Sequence, residues 1–244
     1  MRIITTIGST AVLAAALSLT TSCGKEDSAD KTKTENKAEA SAQAADLIKL
    51  EFEIPDPEFQ GTPKPIKLPP GLKLHNAKND KPLMIPKDST NISKGKPVTS
   101  SDDMPVIGEL EQITDDSKSS AEGEFVELGP GTQWVQIDLG KKSEVAAVVI
   151  WHYHAQARVY HDIIVQVSDD PDFLSGATTI FNNDHDNSSG KGVGKDEAYI
   201  DTNKGWVIDG KGAKGRYVRL YSNGSTADEM NHYIEVSVFG KNVE

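Results

Sequence analysis

Residues 89–244 predict an all-β domain, an antiparallel sandwich or barrel. Three observations carry this. Apolar segments of strand length alternate with polar residues or run continuously. Turn residues separate them at short intervals. No apolar periodicity of helical length appears after residue 46. Alternation in β-branched and aromatic residues marks strands, and many short strands in one domain close as a sandwich or a barrel.

The elements follow in order. "WVQIDL" (134–139) sets Val135, Ile137 and Leu139 against Gln136 and Asp138. "VAAVVIWHY" (145–153) is nearly continuous, as a central strand should be. Then come "DIIVQVSD" (162–169), "TTIF" (178–181), "AYIDT" (198–202), "WVID" (206–209), "RYVRLYS" (216–222) and "HYIEVSVF" (232–239). Asp-Asp-Pro-Asp, glycine-rich and Asn-Gly turns stand between them.

The N-terminus reads differently. Arg2, the apolar run Ile3–Leu19 and the small residues Thr20, Thr21 and Ser22 form a bacterial secretory signal over 1–22, for export across the inner membrane. The run is too short and too diluted by Ser and Thr for a membrane-spanning helix. Cys23 is the one cysteine, so no intrachain disulfide forms. Its position resembles that in a bacterial lipoprotein signal, although Leu19 lies four residues before it rather than three. The resemblance implies a lipid on Cys23 and an anchor in the cell envelope. Gly24 in place of Asp favours the outer membrane over the inner. The alternative is an ordinary signal with an incidental cysteine.

Residues 23–46, rich in Lys, Glu, Ala, Ser and Asp, form a disordered tether. Residues 47–88 form a Pro-rich, extended connector with one short strand at Leu50–Ile54. Phe52, Ile54, Phe59, Leu72, Leu74 and Ile85 are costly to leave in water, so the connector lies partly against the domain. The formal charge of −11 argues against nucleic acid, whose phosphates need clustered Lys and Arg. It also argues against contact with anionic lipid beyond the anchor.

"NISKGKPVTSS" (91–101), "ITDD" (113–116), "QWVQIDLG" (133–140), "VVIWHY" (148–153), "IIVQVSDDPDF" (163–173), "GRYVRLYSNG" (215–224) and "YIEVSVFG" (233–240) appear in this order. The series resembles the discoidin, or coagulation-factor type C, domains of the galactose-binding-like group. The resemblance implies a β-sandwich jelly roll with ligand loops at one end. Members bind glycans, lipid headgroups or proteins, so the fold alone does not name the ligand. It also implies a structural calcium ion held by Asp115, the carbonyl of Ser117, Ser120 and Glu235. Hard oxygens of this kind suit calcium. Asp116 stands where the family usually has Gly, and Ser120 where Thr is common.

"DHDNSSGKGVGKDE" (184–197) invites several readings. Counted as an EF-hand from Asp184, it has Ser189 where Gly is required and Lys195 where Glu is required. Walker A fails because Asp196 follows Gly194-Lys195. A dinucleotide fingerprint fails because Lys195 replaces its last Gly. A long polar loop remains, with Asp184, His185, Asp186 and Asn187 as ligand candidates. It either folds on itself through Asx-type bonds or presents a surface, and the two are compatible. "WHYHAQARVYHD" (151–162) adds His152, His154, Arg158, Tyr160 and His161, a mixture suited to sugar hydroxyls and rings. Packing is the commoner role for Trp151. "SNGSTADEMNHY" (222–233) adds Asn223, Asn231 and His232. His152, His154, His161, His185 and His232 all fall in the domain, but no spacing marks a zinc or iron site.

No nucleophile elbow or metal triad is present, so the expected function is non-catalytic. It is carbohydrate binding at the cell envelope with structural calcium. The alternative is a protein–protein or scaffold module of an envelope assembly. The partner is accordingly a glycan or an envelope protein.

Overall fold

The computed structural model describes residues 46–58 and 65–243. The signal, Cys23, Phe59 and nearly all of the tether lie outside the described residues. Asp46 onward is one compact unit.

Two long strands organise it. β6 (Gln133–Trp151) and β9 (Trp206–Ser222) pair antiparallel along almost their whole lengths. Each bends once. The β6 bend lies between Asp138 and Ser143, around Gly140 at φ +81°; that of β9 is served by Lys211 and Gly212 at φ +53° and +67°. Positive φ is readily adopted by Gly and uncommon elsewhere. The bends turn one sheet into two facing halves. The first half of β6 pairs with β4 (Val98–Ser100), and its second half with β11 (Glu235–Asn242). β3 (Thr90–Asn91) edges β11, while β7 (Ile164–Ser168) and β8 (Thr178–Asn182) extend the β9 side, giving seven strands. A separate pair joins β5 (Val126–Leu128) to β10 (Asn231–Tyr233). The described residues contain only two short 3-10 turns, Ala77–Asn79 and Leu110–Thr114. The architecture is the expected antiparallel β-sandwich.

The alternating residues meet between the halves. Val135, Ile137, Val148, Ile150, Val165, Val167, Val218, Leu220, Val236 and Val238 are all fully buried in one cluster. Each buried side chain of this size contributes roughly 1.5–3 kcal/mol, as an upper estimate. The continuous run in β6 has its own explanation. Ala147, Val149 and Trp151 point away from that core, yet they are equally buried. The connector covers them. Leu50, Phe52, Leu83 and Ile85 pack there, and Phe52 meets the Trp151 ring edge-on at 5.4 Å. β1 (Leu47–Lys49) pairs with β2 (Met84–Pro86) to hold this strap.

Some elements differ from the sequence reading. The short strand is Leu47–Lys49 rather than 50–54, because Leu50 is taken into packing with its N–H bonded to Leu83 O. Ile54 and Leu74 stay 51% and 40% exposed, whereas Leu72 is half-buried. "AYIDT" is not a strand. Tyr199 is buried by stacking on Trp206 at 4.2 Å, and Ala198 makes a lone parallel bridge to Leu74. Its aromatic and apolar character thus reports burial, not pairing. The two expected pairs 134–139/145–153 and 206–209/216–222 are each one bent strand, while 232–239 divides into β10 and β11.

Candidate functional site

At the end where β6 leaves the sheet, a polar network lies inside the protein. His152 Nδ1 donates to Asp201 Oδ1 at 2.9 Å, and its ring stacks on Tyr160 at 4.4 Å. His232 Nε2 donates to Glu127 at 3.0 Å, so its Nδ1 is the acceptor for the Tyr160 hydroxyl at 2.9 Å. Burial, together with the Arg158 charge, pushes the His232 pKa down. Arg158 reaches Asp228 at 3.0 Å and lies 4.7 Å over the Tyr153 ring. His154 donates to the carbonyl of Lys118. Thus His152, His154, Arg158, Tyr160 and His232, all offered by the sequence as ligand candidates, are buried, each with at least one polar atom on an internal partner, while His152 Nε2, His154 Nδ1 and Arg158 Nε have none among the described residues.

Asn231 is buried too, and it builds a wall. Its Nδ2 donates to the carbonyls of Gly129 and Gly131, and its Oδ1 accepts from Gly224 N–H. This ties the β5–β6 turn to the 223–229 loop. Gly224 sits at φ +69°, where an added Cβ would come within 3.1 Å of Glu229 backbone. Between these segments lies a cleft of about 490 Å³, lined by Pro130, His161, Asn223, Thr226, Asp228 and Glu229 among others. No Lys, Arg or aromatic ring other than His161 lines it. The imidazole of His161 is half-buried, and burial lowers its pKa. Its Nε2 is buried without a hydrogen-bond partner among the described residues. Of the sequence candidates, then, His161 and Asn223 face the cleft, while Arg158 and Asn231 hold its walls. Asp228, Glu229 and Thr226 were missed as individuals; the acidic turn inside "STADEM" was their only signal.

The loop at 184–196 folds on itself. Asp184 is fully buried and accepts from Ser188 and Ser189 N–H at 3.0 and 2.9 Å. Asp186 accepts from Ser188 N–H, and Asn187, at φ +60°, accepts from Gly192 N–H. His185 Nε2 donates to Pro70 O at 2.8 Å. Oxygens of Asp162, Asp184 and Asp186 lie within 4.8 Å of one another and could hold a metal ion. Burial and the Asp162 charge push Asp184 up, whereas the Ser188 hydroxyl and N–H hold Asp186 down. Asp162 also accepts from Asn223 Nδ2 at 2.8 Å, which joins this cluster to the cleft.

The residues that the resemblance assigns to calcium are arranged otherwise. Asp115 is exposed and accepts Ser117 N–H. Ser120 Oγ donates to Glu58 of the strap, and Glu235 accepts from Asp116 N–H and Ser237 Oγ. No third carboxylate or imidazole completes a convergent group with these among the described residues.

Residues 112–220 match the family model described as the NedA-like, galactose-binding domain, of the F5/F8 type C group. No curated protein matches the chain. Among solved structures it is similar to the CBM32 of AlyQ in complex with 4,5-unsaturated mannuronic acid, at 16% identity, covering 59% of this chain and 93% of that one, with a TM-score of 0.43. It is also similar to chitosan-binding module 1 of a chitosanase/glucanase from Paenibacillus sp. IK-5, at 19% identity, 62% and 99% coverage and a TM-score of 0.42. A third is a Streptococcus pneumoniae fucose binding module, at 18% identity, 61% and 96% coverage and a TM-score of 0.42.

Proposed function

We propose that this domain is a non-catalytic glycan-binding module of the bacterial envelope, taking one sugar unit in the cleft at His161 and 223–229. The observation that carries the reading is the cleft of about 490 Å³ walled by His161, Asn223, Asp228 and Glu229, whose polar side chains suit sugar hydroxyls. The matched family, described as galactose-binding, supports a sugar as the ligand. Asp228 and Glu229 line the cleft without a lining cation, which favours neutral or amino sugars over acidic ones.

Structural calcium belongs to this reading at Asp162, Asp184 and Asp186, where it would order Asn223 beside the cleft. Lipidation of Cys23 and an outer-membrane anchor complete it; mass spectrometry of the Cys23 peptide and membrane fractionation test both.

A glycan array probed with the full chain is the deciding experiment. Specific binding that drops at least tenfold in His161→Ala supports the proposal. A blank array together with one co-purifying envelope protein would favour the scaffold reading, for which the exposed Leu174 and Met104 (86% and 81%) offer apolar contact. Turnover of a bound glycan would overturn the non-catalytic assignment.

A further inference from the structure

We infer that the loop at 115–120 is closed by an internal cation, the ammonium of Lys118, in place of the metal that its family resemblance implies. The inference goes beyond the glycan reading and does not depend on it.

Lys118 lies in the middle of the loop and is only 8% exposed. Lysine is almost never buried unless paired. Its Nζ donates to Asp116 O at 2.9 Å and to Asp116 Oδ1 at 2.7 Å, and lies 5.3 Å from the centroid of the Trp151 ring. Backbone oxygen, carboxylate oxygen and an aromatic face together replace the water an ammonium loses. The same Asp116 takes a second lysine, Lys94, on Oδ2 at 2.7 Å.

The backbone agrees. Asp116 occupies φ +76°, in the left-handed region that favours glycine. Such a residue costs on the order of 1 kcal/mol or more unless its surroundings fix it. Here its side chain is held by two ammonium groups, and its N–H is held by Glu235 at 3.0 Å. The substitution of Asp for Gly and the inward lysine therefore explain one another. The carboxylate balances Lys118, and Lys118 fixes the strained turn.

A calcium ion would need six to eight oxygens at about 2.3–2.6 Å. Asp116 O and Oδ1 already face an ammonium, and a divalent ion beside it would be repelled. Ser120 is engaged from outside the sandwich, since Glu58 Oε2 accepts both its N–H and its hydroxyl at 2.5 Å. Ser119 Oγ donates to the other oxygen of Glu58. The donors present thus suit an ammonium and not the metal. In consequence the tie between the strap, this loop and the start of β11 does not depend on calcium.

Reductive methylation of the full chain, read by peptide mass spectrometry in chelator and again in excess calcium, tests this. Lys118 should stay unmodified in both conditions while the exposed Lys191 and Lys195 are dimethylated. Modification of Lys118 at the Lys191 rate in chelator would show that no lock exists. Modification only in calcium would show that the metal displaces it; either result overturns the inference. Lys118→Met keeps the aliphatic stem and removes the charge. Its folding equilibrium constant in chelator should fall by tenfold or more, and a value equal to wild type would also overturn the assignment. Should that variant not fold, the methylation pattern of the wild-type chain still decides.

Discussion

The loop at 115–120 and the loop at 184–190 both crowd acidic side chains around a non-glycine residue at positive φ, Asp116 in one and Asn187 in the other. In the first, the protein supplies its own cation, and the strap adds Glu58 across Ser119 and Ser120. In the second, backbone N–H groups do part of the work, but three carboxylates still converge. Loops that look alike as strings of Asp and Ser can therefore differ in what they ask of the solution. One is electrically closed, whereas the other gathers three carboxylates that could hold an external cation.

The contrast can be tested by pH, mutation and metal. The largest expected effect is on pH dependence. Burial raises Glu235 to about 7 from an ordinary 4.5. A carboxyl raised in the folded state binds more protons folded than unfolded across this window. Its contribution is therefore fully present below about 4.5 and is lost as pH rises through 7, by roughly 3 kcal/mol at most. Urea titrations across that window should show the loss in wild type and a flatter profile in Glu235→Gln. A similar slope in both would remove Glu235 as its source.

Next, Lys118→Met should destabilise the domain by about 2 kcal/mol. That is less than the loss from breaking a fully buried pair, because Asp116 is 37% exposed. Calorimetry should find the drop unchanged by calcium. For the second loop the direction reverses. Calcium should raise the melting temperature by a few degrees, about 1.4–2.7 kcal/mol at ten to a hundred times its Kd, and Asp184→Asn should abolish the rise. An equal calcium effect in that variant would place the ion elsewhere. Smallest is Glu58→Ala, at about 1 kcal/mol, since hydrogen bonds from Ser120 and Ser119 hold Glu58 down although burial opposes them.

Much of the fold was legible. Val135, Ile137 and Leu139 announced a half-buried strand, and the unbroken run through Trp151 announced one buried on both faces. What covers the second face was less legible, because Pro-rich spacing says extended chain and not where it docks. The site was harder still. His152 and His232 look like sugar ligands in a list of residues. Their burial is set by Asp201 and Glu127, far away along the chain. Lys118, between two serines, reads as solvated; only the fold shows Asp116 and Trp151 around it. His161 and Asn223, named from residue type alone, lie on the cleft.

The strap has a practical meaning for anyone making this protein. A chain begun at Ser89, where the strand pattern starts, would uncover Ala147, Val149, Trp151 and Ile234 as one apolar face. Faces of that kind drive self-association. Such a truncation should elute from a sizing column as oligomers or precipitate, while a chain begun at Asp46 should run as a single species. The start codon of an expression plasmid would thus decide whether the domain is handled as a soluble module or mistaken for an aggregating one.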